Sequence, residues 1–449
     1  MTTLVWLRQD LRLADNPALR AAVDRGEPVV LLYVLDDTTV RPLGGASRWW
    51  LHHSLHELGE RVADLGGALV LRRGPAAEVV PDVVRQLGAD TVVWNRRYGK
   101  AGREADAALK EALRADGVEV ESFQANLLHE PWTIRTGQGN PFQVFTPFWK
   151  ACLAEPEPRS PLAAPDAIRP PDDVPASDPL DDWGLLPTKP DWAGGLREHW
   201  TPGEVDAGRR LDRFAEEVLQ DYGLRDEPAQ EAGSRLSPSL SFGEISPFQI
   251  WDRMRRDLSP AARREKSKFL SEIGWREFHH HVLFHSEDYA TINWRRSFDD
   301  FPWEQPDADE LERWQQGRTG IPMVDAGMRQ LWTTGFMHNR VRMVAASFLI
   351  KNLLVDWRIG EQWFWDTLVD ADEASNPGNW QWVAGSGADA APYFRIFNPV
   401  TQAEKFDKDR NYLREWIPEL DTDEYPEPMV DLKASRQAAL DAYEVVKRR

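Results

Sequence analysis

The sequence has 449 residues, 42% of them hydrophobic, and a formal net charge of -19. This hydrophobic content is typical of a globular protein, and no apolar run approaches the roughly 20 residues that a membrane helix requires. The acidic excess excludes a protein that coats DNA by general neutralisation of phosphates, so any contact with nucleic acid has to be local. A single cysteine, Cys152, excludes an internal disulfide. The first residues lack a secretory signal, and we expect a cytoplasmic protein with no membrane contact.

The first 130 residues alternate short β-rich runs with helical patterns. TLVWLR, PVVLLYVLD and TVVWN are typical of strands, whereas PALRAAVDRG and VVPDVVRQLG are typical of helices. This alternation predicts an α/β domain over residues 1–130, in which a parallel sheet is wound with helices. Neither GxGxxG at the first helix nor GxxxxGK followed by Ser or Thr is present, so nothing supports dinucleotide or nucleoside-triphosphate binding by those motifs.

A proline-rich stretch separates this domain from the rest of the chain. Between about residues 156 and 202 prolines cluster with Asp, Ala and Gly, a composition typical of an extended connector on the surface. We therefore assign residues 131–203 to an interdomain linker. From there onwards the pattern is almost wholly helical, with amphipathic stretches such as VRMVAASFLIKNLLVDW. The sequence predicts a second, larger all-α domain over residues 204–449.

Polar residues occur in the helical part at spacings that a pure core would not favour. In SKFLSEIGWREFHHH, Glu272, Trp275, Arg276 and His279 fall on one helix face, which either meets a polar ligand or forms a salt-bridged surface. The three consecutive histidines point in different directions around a helix and lack metal-ligand spacing, so no metal site is predicted. In MHNRVRM, a second face combines amide, guanidinium and thioether groups.

Two further segments carry polar groups next to helix starts. In DADEASNPGNWQW, Asp370, Asp372 and Asn376 precede a Pro-Gly break; they indicate either a ligand-binding loop or structural ion pairs. GSRLSPSLSFGEISP places small hydroxyl residues before a helix, where backbone N–H groups favour an anion such as pyrophosphate, although an ordinary helix cap gives the same pattern.

Taken together, these segments resemble the photolyase and cryptochrome family over essentially the whole chain. The resemblance is carried by WLRQDLRLADNPAL, SRLSPSLSFGEISP, IGWREF, GIPMVDAGMRQL, MHNRVRM and FRIFNPVTQAEKFD, in that order. It implies an α/β antenna domain, a long linker and an α-helical domain that binds FAD. Within the family, the chain most resembles the bacterial cyclobutane pyrimidine dimer photolyases that are close to plant cryptochromes. This resemblance implies that the substrate is damaged DNA and that the damaged dinucleotide is flipped out of the duplex.

The resemblance also implies roles for individual residues. One group would surround FAD: Tyr222, Ser234, Arg235, Leu236, Ser237, Phe269, Arg276, Asp370, Asp372 and Asn376. Next to this group, Gly233 occupies the position at which many relatives have Thr. A second group would contact the dimer or the DNA: Glu272, Trp275, Asn339, Arg342, Met343, Trp382, Arg395, Lys405 and Lys408. Within it, Glu272 and Asn339 would take part in catalysis.

The chain has 21 tryptophans, well above the usual frequency of this residue. Most fill a helical core under the simplest interpretation. The resemblance additionally implies that Trp380, Trp357 and Trp303 form a chain that passes electrons from the surface to the flavin. The segment after Trp303 is one residue longer than in familiar relatives, so Trp314, Trp363 or Trp365 are alternatives for the outer position.

Two positions separate repair from signalling and from repair of the (6-4) photoproduct. The resemblance implies that Asn376 faces flavin N5, where it would be a neutral amide able to accept a hydrogen bond from reduced flavin N5–H and where plant-type cryptochromes have a carboxylic acid. The (6-4) enzymes have histidines in place of Asn339 and Met343. We therefore predict a cyclobutane dimer photolyase acting as a monomer without an obligate protein partner, and keep a cryptochrome-like blue-light sensor as the alternative.

The antenna pigment is less clearly indicated by the resemblance. RPLGGASRWWLHHSL resembles the branch that uses methenyltetrahydrofolate. The carboxylate that usually binds the pterin is missing, because the family's Tyr-Glu pair is Tyr98-Gly99 here. We expect the folate, with 8-hydroxy-5-deazaflavin as the alternative.

Overall fold

The computed structural model describes residues 1–256, 258–391 and 394–447. Within these residues the N-terminal part forms one parallel sheet with strand order β3-β2-β1-β4-β5. Its strands are β1 Thr3–Leu7, β2 Val29–Leu35, β3 Leu69–Arg73, β4 Thr91–Asn95 and β5 Glu119–Phe123. The helices that alternate with them are α1 Pro17–Asp24, α2 Gly45–Asp64, α3 Ala76–Leu87 and α4 Lys100–Ala115.

The sheet is buried on both faces, which explains the continuous hydrophobic runs of its central strands. Side chains alternate between the faces of β1: Val5 packs with residues of α1 and α2, whereas Trp6 packs with residues of α3 and α4. The expected parallel sheet wound with helices is thus confirmed. The order of the strands reverses between β1 and β4, the point at which ligand crevices form at the carboxyl ends of strands.

The remainder of the described chain is helical, as expected. Its α-helices are α5 Phe145–Cys152, α6 Gly194–His199, α7 Glu204–Arg213, α8 Ser237–Phe242, α9 Pro247–Arg253, α10 Pro260–Phe284, α11 Ala308–Gln315, α12 Pro322–Thr334, α13 Asn339–Ser347, α14 Trp357–Thr367, α15 Ser375–Ala384, α16 Pro399–Phe406, α17 Asn411–Trp416 and α18 Leu432–Lys447. Short 3₁₀ helices occur at Leu180–Trp183, Leu219–Leu224 and Arg296–Asp300, and π-helical turns occur at Phe214–Val218 and Phe348–Asn352. No helix of the described residues is long and apolar enough to cross a membrane.

The stretch expected as a surface connector contributes to both cores. Helix α5 buries Phe148 and Cys152 among residues of α10. Further along, Trp183 and Trp200 pack against the N-terminal sheet and its helices. Proline-rich composition indicated an extended chain, but the aromatic residues spaced along it bury enough surface to bind it to each domain in turn.

Buried polar groups join the two domains. Arg12, which is wholly buried, donates to the backbone oxygen of Gly243 at 2.8 Å. The carboxylate of Glu204 accepts backbone N–H groups of the N-terminal domain, and Glu244 accepts the indole N–H of Trp50 at 2.8 Å. Burial raises the pKa of Glu244 to about 7, while its hydrogen bonds counteract the rise. The domains therefore meet through directional bonds as well as through apolar contacts such as that between Trp50 and Phe242.

Candidate active site

An ion pair forms the charged centre of the helical domain. Arg342 donates to both carboxylate oxygens of Asp370, at 3.1 and 2.9 Å, and the hydroxyl of Ser237 donates to Asp370 at 2.7 Å. The Asp370 side chain is 3% exposed. Arg235 and Arg342 both lie over the ring of Phe336, at 5.8 and 5.1 Å. The structure thus brings three residues expected around a cofactor to Arg342, which had been expected at the substrate.

The turn before α8 has an unusual backbone. Arg235 has a φ of 50°, in the left-handed region that non-glycine residues rarely adopt. Such a conformation costs about 1 kcal/mol or more and persists where the surroundings hold it in place. Leu236 is buried beneath the turn, while Ser234 is half-buried, and α8 then begins at Ser237. The first N–H groups of a helix lack partners inside it, so this turn is suited to an anionic group.

Asp372 and Arg276 lie at the boundary between the domains. Asp372 accepts the backbone N–H groups of Ala374 at 2.8 Å and Ser375 at 2.5 Å. Arg276 donates to the backbone oxygen of Asn126 at 2.7 Å. Between them is a cavity of about 20 Å³, enough for one water molecule. It is lined by Gln9, Arg96, Arg97, Tyr98, Asn126, Leu240, Ser241, Arg276, His280, Asp372 and Glu373.

The amide of Asn376 is held in one orientation. Its Nδ2 donates to the carboxylate of Glu361 at 2.8 Å and to the backbone oxygen of Glu361 at 3.1 Å. Both partners are acceptors, so the amino side of the amide has to face them and Oδ1 faces away. Asn376 and Trp380 are one helical turn apart on α15, which places a polar and an aromatic group on the same face of this helix.

Glu272 lies next to the aromatic pair Tyr222 and Phe269. Those two rings meet edge to face, with centroids 5.6 Å apart. Arg225 stacks over Tyr222 at 5.2 Å and approaches Glu272 to 3.5 Å. Burial raises the pKa of Glu272, and the nearby Arg225 opposes part of the rise. The result is a carboxyl group that keeps its proton to higher pH than an exposed glutamate does.

An open pocket of about 410 Å³ lies beside two of the predicted substrate residues. Trp275 is stacked on Phe145, which follows the lining residue Val144, with centroids 3.9 Å apart. The indole of Trp382 donates to the backbone oxygen of the lining residue Asp389 at 3.2 Å, and Arg395 lies over its ring at 5.4 Å. The pocket is lined by Gln143, Val144, Trp294, Arg295, Gly387, Ala388, Asp389 and Ala390.

The other predicted DNA contacts lie on helix starts and ends. Asn339 is exposed at the first position of α13, and Met343 is half-buried one turn later against the core that contains Trp382. Lys405 is exposed near the end of α16, and Lys408 is exposed just after it. Arg342, by contrast, is engaged by Asp370 and by a backbone oxygen, so its charge is already neutralised.

The tryptophans of the predicted chain differ in burial. Trp380 and Trp357 are buried in one cluster, and Trp303 is half-buried at its edge. The backbone of Glu304 pairs with that of Val355, which places Trp303 beside the segment that leads into α14. Of the alternatives, Trp314 is fully buried against Trp380, with centroids 6.4 Å apart. It therefore has no solvent-facing edge to end a chain.

Trp363 and Trp365 offer other geometries. Trp363 stacks on Trp332 with centroids 6.1 Å apart, and Trp332 is 56% exposed. Trp365 is half-buried at the domain boundary, where its indole donates to the backbone of Pro42. Both positions are nearer to solvent than Trp314.

Several residues of the site were not predicted from the sequence. Glu361, Arg225 and Asp389 each hold a predicted residue in place, and Gln143 and Trp294 line the larger pocket. Their local sequences have no distinguishing pattern, because a helical glutamate with a distant partner has the same spacing as a surface glutamate. Among the residues that the structure describes, no group of His, Cys, Asp or Glu side chains could hold a metal ion.

Comparison with known proteins agrees with this arrangement. The model for DNA photolyase matches residues 3–166, and the model for the FAD binding domain of DNA photolyase matches residues 269–423. A deoxyribodipyrimidine photo-lyase of Agrobacterium fabrum is 49% identical over 99% of this chain and 98% of its own length. Cryptochrome-1 of Arabidopsis thaliana is 37% identical over 93% of this chain and 63% of its own length.

A solved structure extends the likeness to three dimensions. The bacterial class III photolyase from Agrobacterium tumefaciens matches with a TM-score of 0.96 and 48% identity, over 100% of this chain and 98% of that one. Both parts of the chain match family models, and the curated relative is similar over its full length. The chain therefore belongs to the DNA photolyase family.

Proposed function

We propose that this protein is a deoxyribodipyrimidine photo-lyase, which uses light to split cyclobutane pyrimidine dimers in DNA. The observation that carries the proposal is the open pocket whose lining residue Asp389 accepts the indole N–H of Trp382. The N–H of Asp389 also donates to Gln143, which lines the pocket two residues before Phe145, the stacking partner of Trp275. An open pocket with aromatic side chains packed on its wall residues suits a flipped-out pair of bases.

The residues around Asp370 and Asp372 fit FAD, the cofactor that the family model names. Guanidinium and hydroxyl donors suit the diphosphate, whereas carboxylates suit the N–H and hydroxyl groups of the flavin and ribityl chain. We propose that the cofactor is held by Tyr222, Ser234, Arg235, Leu236, Ser237, Phe269, Arg276, Asp370, Asp372 and Asn376. Bound FAD supplies light absorption and an electron that the dimer receives and later returns.

The protein's own groups position the dimer and control its protons. Burial raises the pKa of Glu272, and in its protonated form this carboxyl group would donate a hydrogen bond to a pyrimidine carbonyl. Asn339 donates from the exposed start of α13, and Met343 adds a flat apolar contact. Trp275 and Trp382 exclude water from the bases. Arg395, Lys405 and Lys408 provide the local positive charge for DNA phosphates that the overall net charge does not. Arg342, whose charge Asp370 neutralises, contributes instead through this ion pair, which orders α13.

We assign restoration of the reduced cofactor to Trp380, Trp357 and Trp303. Support comes from their change in burial, since the first two are buried and the third is at the edge of the same cluster. Trp303 also lies beside the segment that begins α14 with Trp357. The test is light-driven reduction of oxidised flavin in Trp380→Phe, which should be lost while flavin remains bound.

The antenna pigment that we propose is methenyltetrahydrofolate, with 8-hydroxy-5-deazaflavin as the alternative. Support comes from a carboxylate beside Gly99, that of Glu373, which accepts the backbone N–H of Gly99 at 3.2 Å. A Cβ at Gly99 would lie 2.2 Å from this carboxylate, so the Glu373 side chain occupies the space next to position 99. Release of the pigment by denaturation and its absorption spectrum would distinguish the folate from the deazaflavin.

The wider setting follows from the same activity. We propose damaged DNA as the binding partner, a monomeric state without an obligate protein partner, and a cytoplasmic location. The domain division that we propose keeps residues 1–130 as the antenna domain and 204–449 as the FAD-binding domain, with 131–203 between them.

The decisive experiment is light-dependent repair by the purified protein. Dimer-containing DNA is illuminated under reductant, and loss of dimers is followed against a dark control. Glu272→Ala should lower the repair yield while FAD stays bound, whereas Glu312→Ala, which removes an exposed carboxylate on α11, should leave it unchanged. Bound, photoreducible flavin without any loss of dimers would refute repair and favour the light sensor.

A further inference from the structure

The loop before α2 is docked directly on α14. The backbone N–H of Gly45 donates to Asp366 at 2.8 Å, and the indole of Trp365 donates to the backbone oxygen of Pro42 at 2.9 Å. A Cβ at Gly44 would lie 2.2 Å from the backbone oxygen of Trp365. This approach admits only glycine, so a segment of the N-terminal domain is fixed against a helix of the other domain.

Arg41 extends from this loop to a buried carboxylate. Its two terminal nitrogens donate to the two oxygens of Glu361, at 2.7 and 3.0 Å, and its guanidinium lies over Trp365 at 4.1 Å. The Glu361 side chain is only 3% exposed. A buried carboxylate is stable as an anion when a partner of opposite charge is bound to it, and the two-pronged geometry is the strong form of this pair.

The same carboxylate orients Asn376. The oxygen of Glu361 that accepts from Arg41 at 2.7 Å also accepts from Nδ2 of Asn376 at 2.8 Å. The backbone oxygen of Glu361 accepts from the same Nδ2 at 3.1 Å, so the amino group of Asn376 has to face Glu361. Because Arg41 binds both oxygens of the carboxylate, it fixes the position of one of the two acceptors that hold the amide.

We infer that Arg41, which belongs to the N-terminal domain, is a positioning residue for the amide of Asn376. It acts through Glu361, the carboxylate that it binds and that in turn holds this amide. The inference rests on the proposed function, in which Asn376 helps to hold FAD, and on the family resemblance, which implies that it faces flavin N5. With both bonds to Glu361 in place, Oδ1 is the amide atom directed away from Glu361, and it would suit the N5–H of the reduced form. Without Arg41 one of these two acceptors is less firmly placed, so Oδ1 would be held less firmly for that bond.

The variant that tests this is Arg41→Gln, with Arg41→Lys as the conservative replacement. The matched control is Arg103→Gln. Arg103 also crosses between the domains, donates to the backbone oxygen of Phe284 at 3.2 Å and lies over that ring at 4.1 Å, but it has no bond to Glu361 among those described. Each protein is purified with its flavin, reduced by light and left in air in the dark while return of the oxidised flavin absorbance is followed.

We expect Arg41→Gln to reoxidise about tenfold faster than wild type, the size expected for loss of one charge-assisted hydrogen bond. Arg41→Lys should recover most of this difference, and Arg103→Gln should match wild type. Glu361→Gln should reoxidise as fast as Arg41→Gln, and adding Arg41→Gln to it should have no further effect, because both act through one carboxylate. Infrared difference spectra with labelled asparagine should show a shifted amide band in Arg41→Gln.

The outcomes separate this inference from the proposed function. Equal reoxidation and an unshifted amide band in Arg41→Gln would overturn the inference while leaving repair untouched. Equal effects of Arg41→Gln and Arg103→Gln would also overturn it, because they would indicate general loosening of the domains. If the wild-type protein retained no flavin, the proposed function and the inference would both fall.

Discussion

Gly360 on α14 lies directly against Trp380, the tryptophan that we propose passes electrons to the flavin. A Cβ built at this position would lie 2.1 Å from the Trp380 ring and 2.6 Å from a methyl group of Leu349. Trp380 is 2% exposed and is surrounded by Trp314 and Phe364, with centroids 6.4 and 4.9 Å away. Neither neighbour leaves room for the ring to move, so Gly360→Ala has to displace the tryptophan or the helix.

The cost of this change can be bounded from the distances. Non-bonded carbon atoms pack at about 3.5–4.0 Å, so the new methyl group overlaps by more than about 1 Å. Overpacking of a buried site costs about 1–3 kcal/mol, and an overlap of this size belongs in the upper half of that range. Alanine gains about 0.5–1 kcal/mol over glycine inside a helix. We expect Gly360→Ala to lose about 1–2 kcal/mol of unfolding free energy and to slow light-driven flavin reduction.

Gly208 on α7 provides the matched control, because nothing lies within 4 Å of a Cβ built there. Gly208→Ala should gain about 0.5–1 kcal/mol and reduce flavin at the wild-type rate. Urea unfolding followed by fluorescence measures the stability, and visible absorbance measures flavin reduction under light. If Gly360→Ala unfolded at the wild-type urea concentration, or reduced flavin as fast as wild type, the packing argument at Trp380 would be refuted.

Three further predictions concern single side chains. Burial raises the pKa of Glu272, so the repair yield should fall as the pH rises through that pKa and the carboxyl group loses its proton. Glu272→Gln has an amide that donates at every pH, so it should flatten the dependence of repair yield on pH. An equally steep dependence in the variant would contradict the role of Glu272 as hydrogen-bond donor to the dimer. Nothing lies within 4 Å of a Cβ built at Gly233, so a threonine hydroxyl has room there to reach a phosphate. Gly233→Thr should bind FAD roughly threefold to tenfold more tightly than Gly233→Ala, as measured by the fluorescence of released FAD. Equal retention by the two variants would count against a phosphate contact at this position. Burial lowers the pKa of Lys351 to about 7, below its unfolded value of about 10.4. The free energy of unfolding of the wild type should therefore rise by about 1 kcal/mol per pH unit between these two values. Lys351→Met should abolish this slope in urea unfolding, and a slope retained in the variant would exclude Lys351 as its source.

The sheet and the helical domain were predictable because local patterns determine them. Runs such as TVVWN are buried on both faces in the structure, as continuous apolar strands in a parallel sheet must be. The resemblance had also named Ser237 and Arg342, which the structure brings to Asp370, because long motifs in a fixed order carry it. These features depend on neighbours in the sequence, which a single chain displays directly.

The supporting residues were not predictable, because their partners are remote in sequence. Arg41 and Glu361 are 320 positions apart, and neither has a local pattern that differs from a solvated charge. The partner of Arg342 was not predictable either. The charge of this residue indicated a contact with a phosphate, but Asp370, 28 positions away, neutralises it. Helix α5 was hidden for another reason, since the proline content around it indicated an exposed connector while Phe148 is buried in the helical core.

The boundary between the domains has a consequence for how such chains are inherited. Glu204, Glu244 and Glu277 belong to the helical part, yet each accepts hydrogen bonds from residues before position 130. A chimera that joins the first domain of one relative to the second of another would have to keep the Trp50 indole and the positions of the backbone N–H groups of Leu13 and Leu128, because an unmatched carboxylate there is costly. Recombination at the proline-rich stretch is therefore restricted to closely matched parents, and the two domains are expected to diverge as one unit.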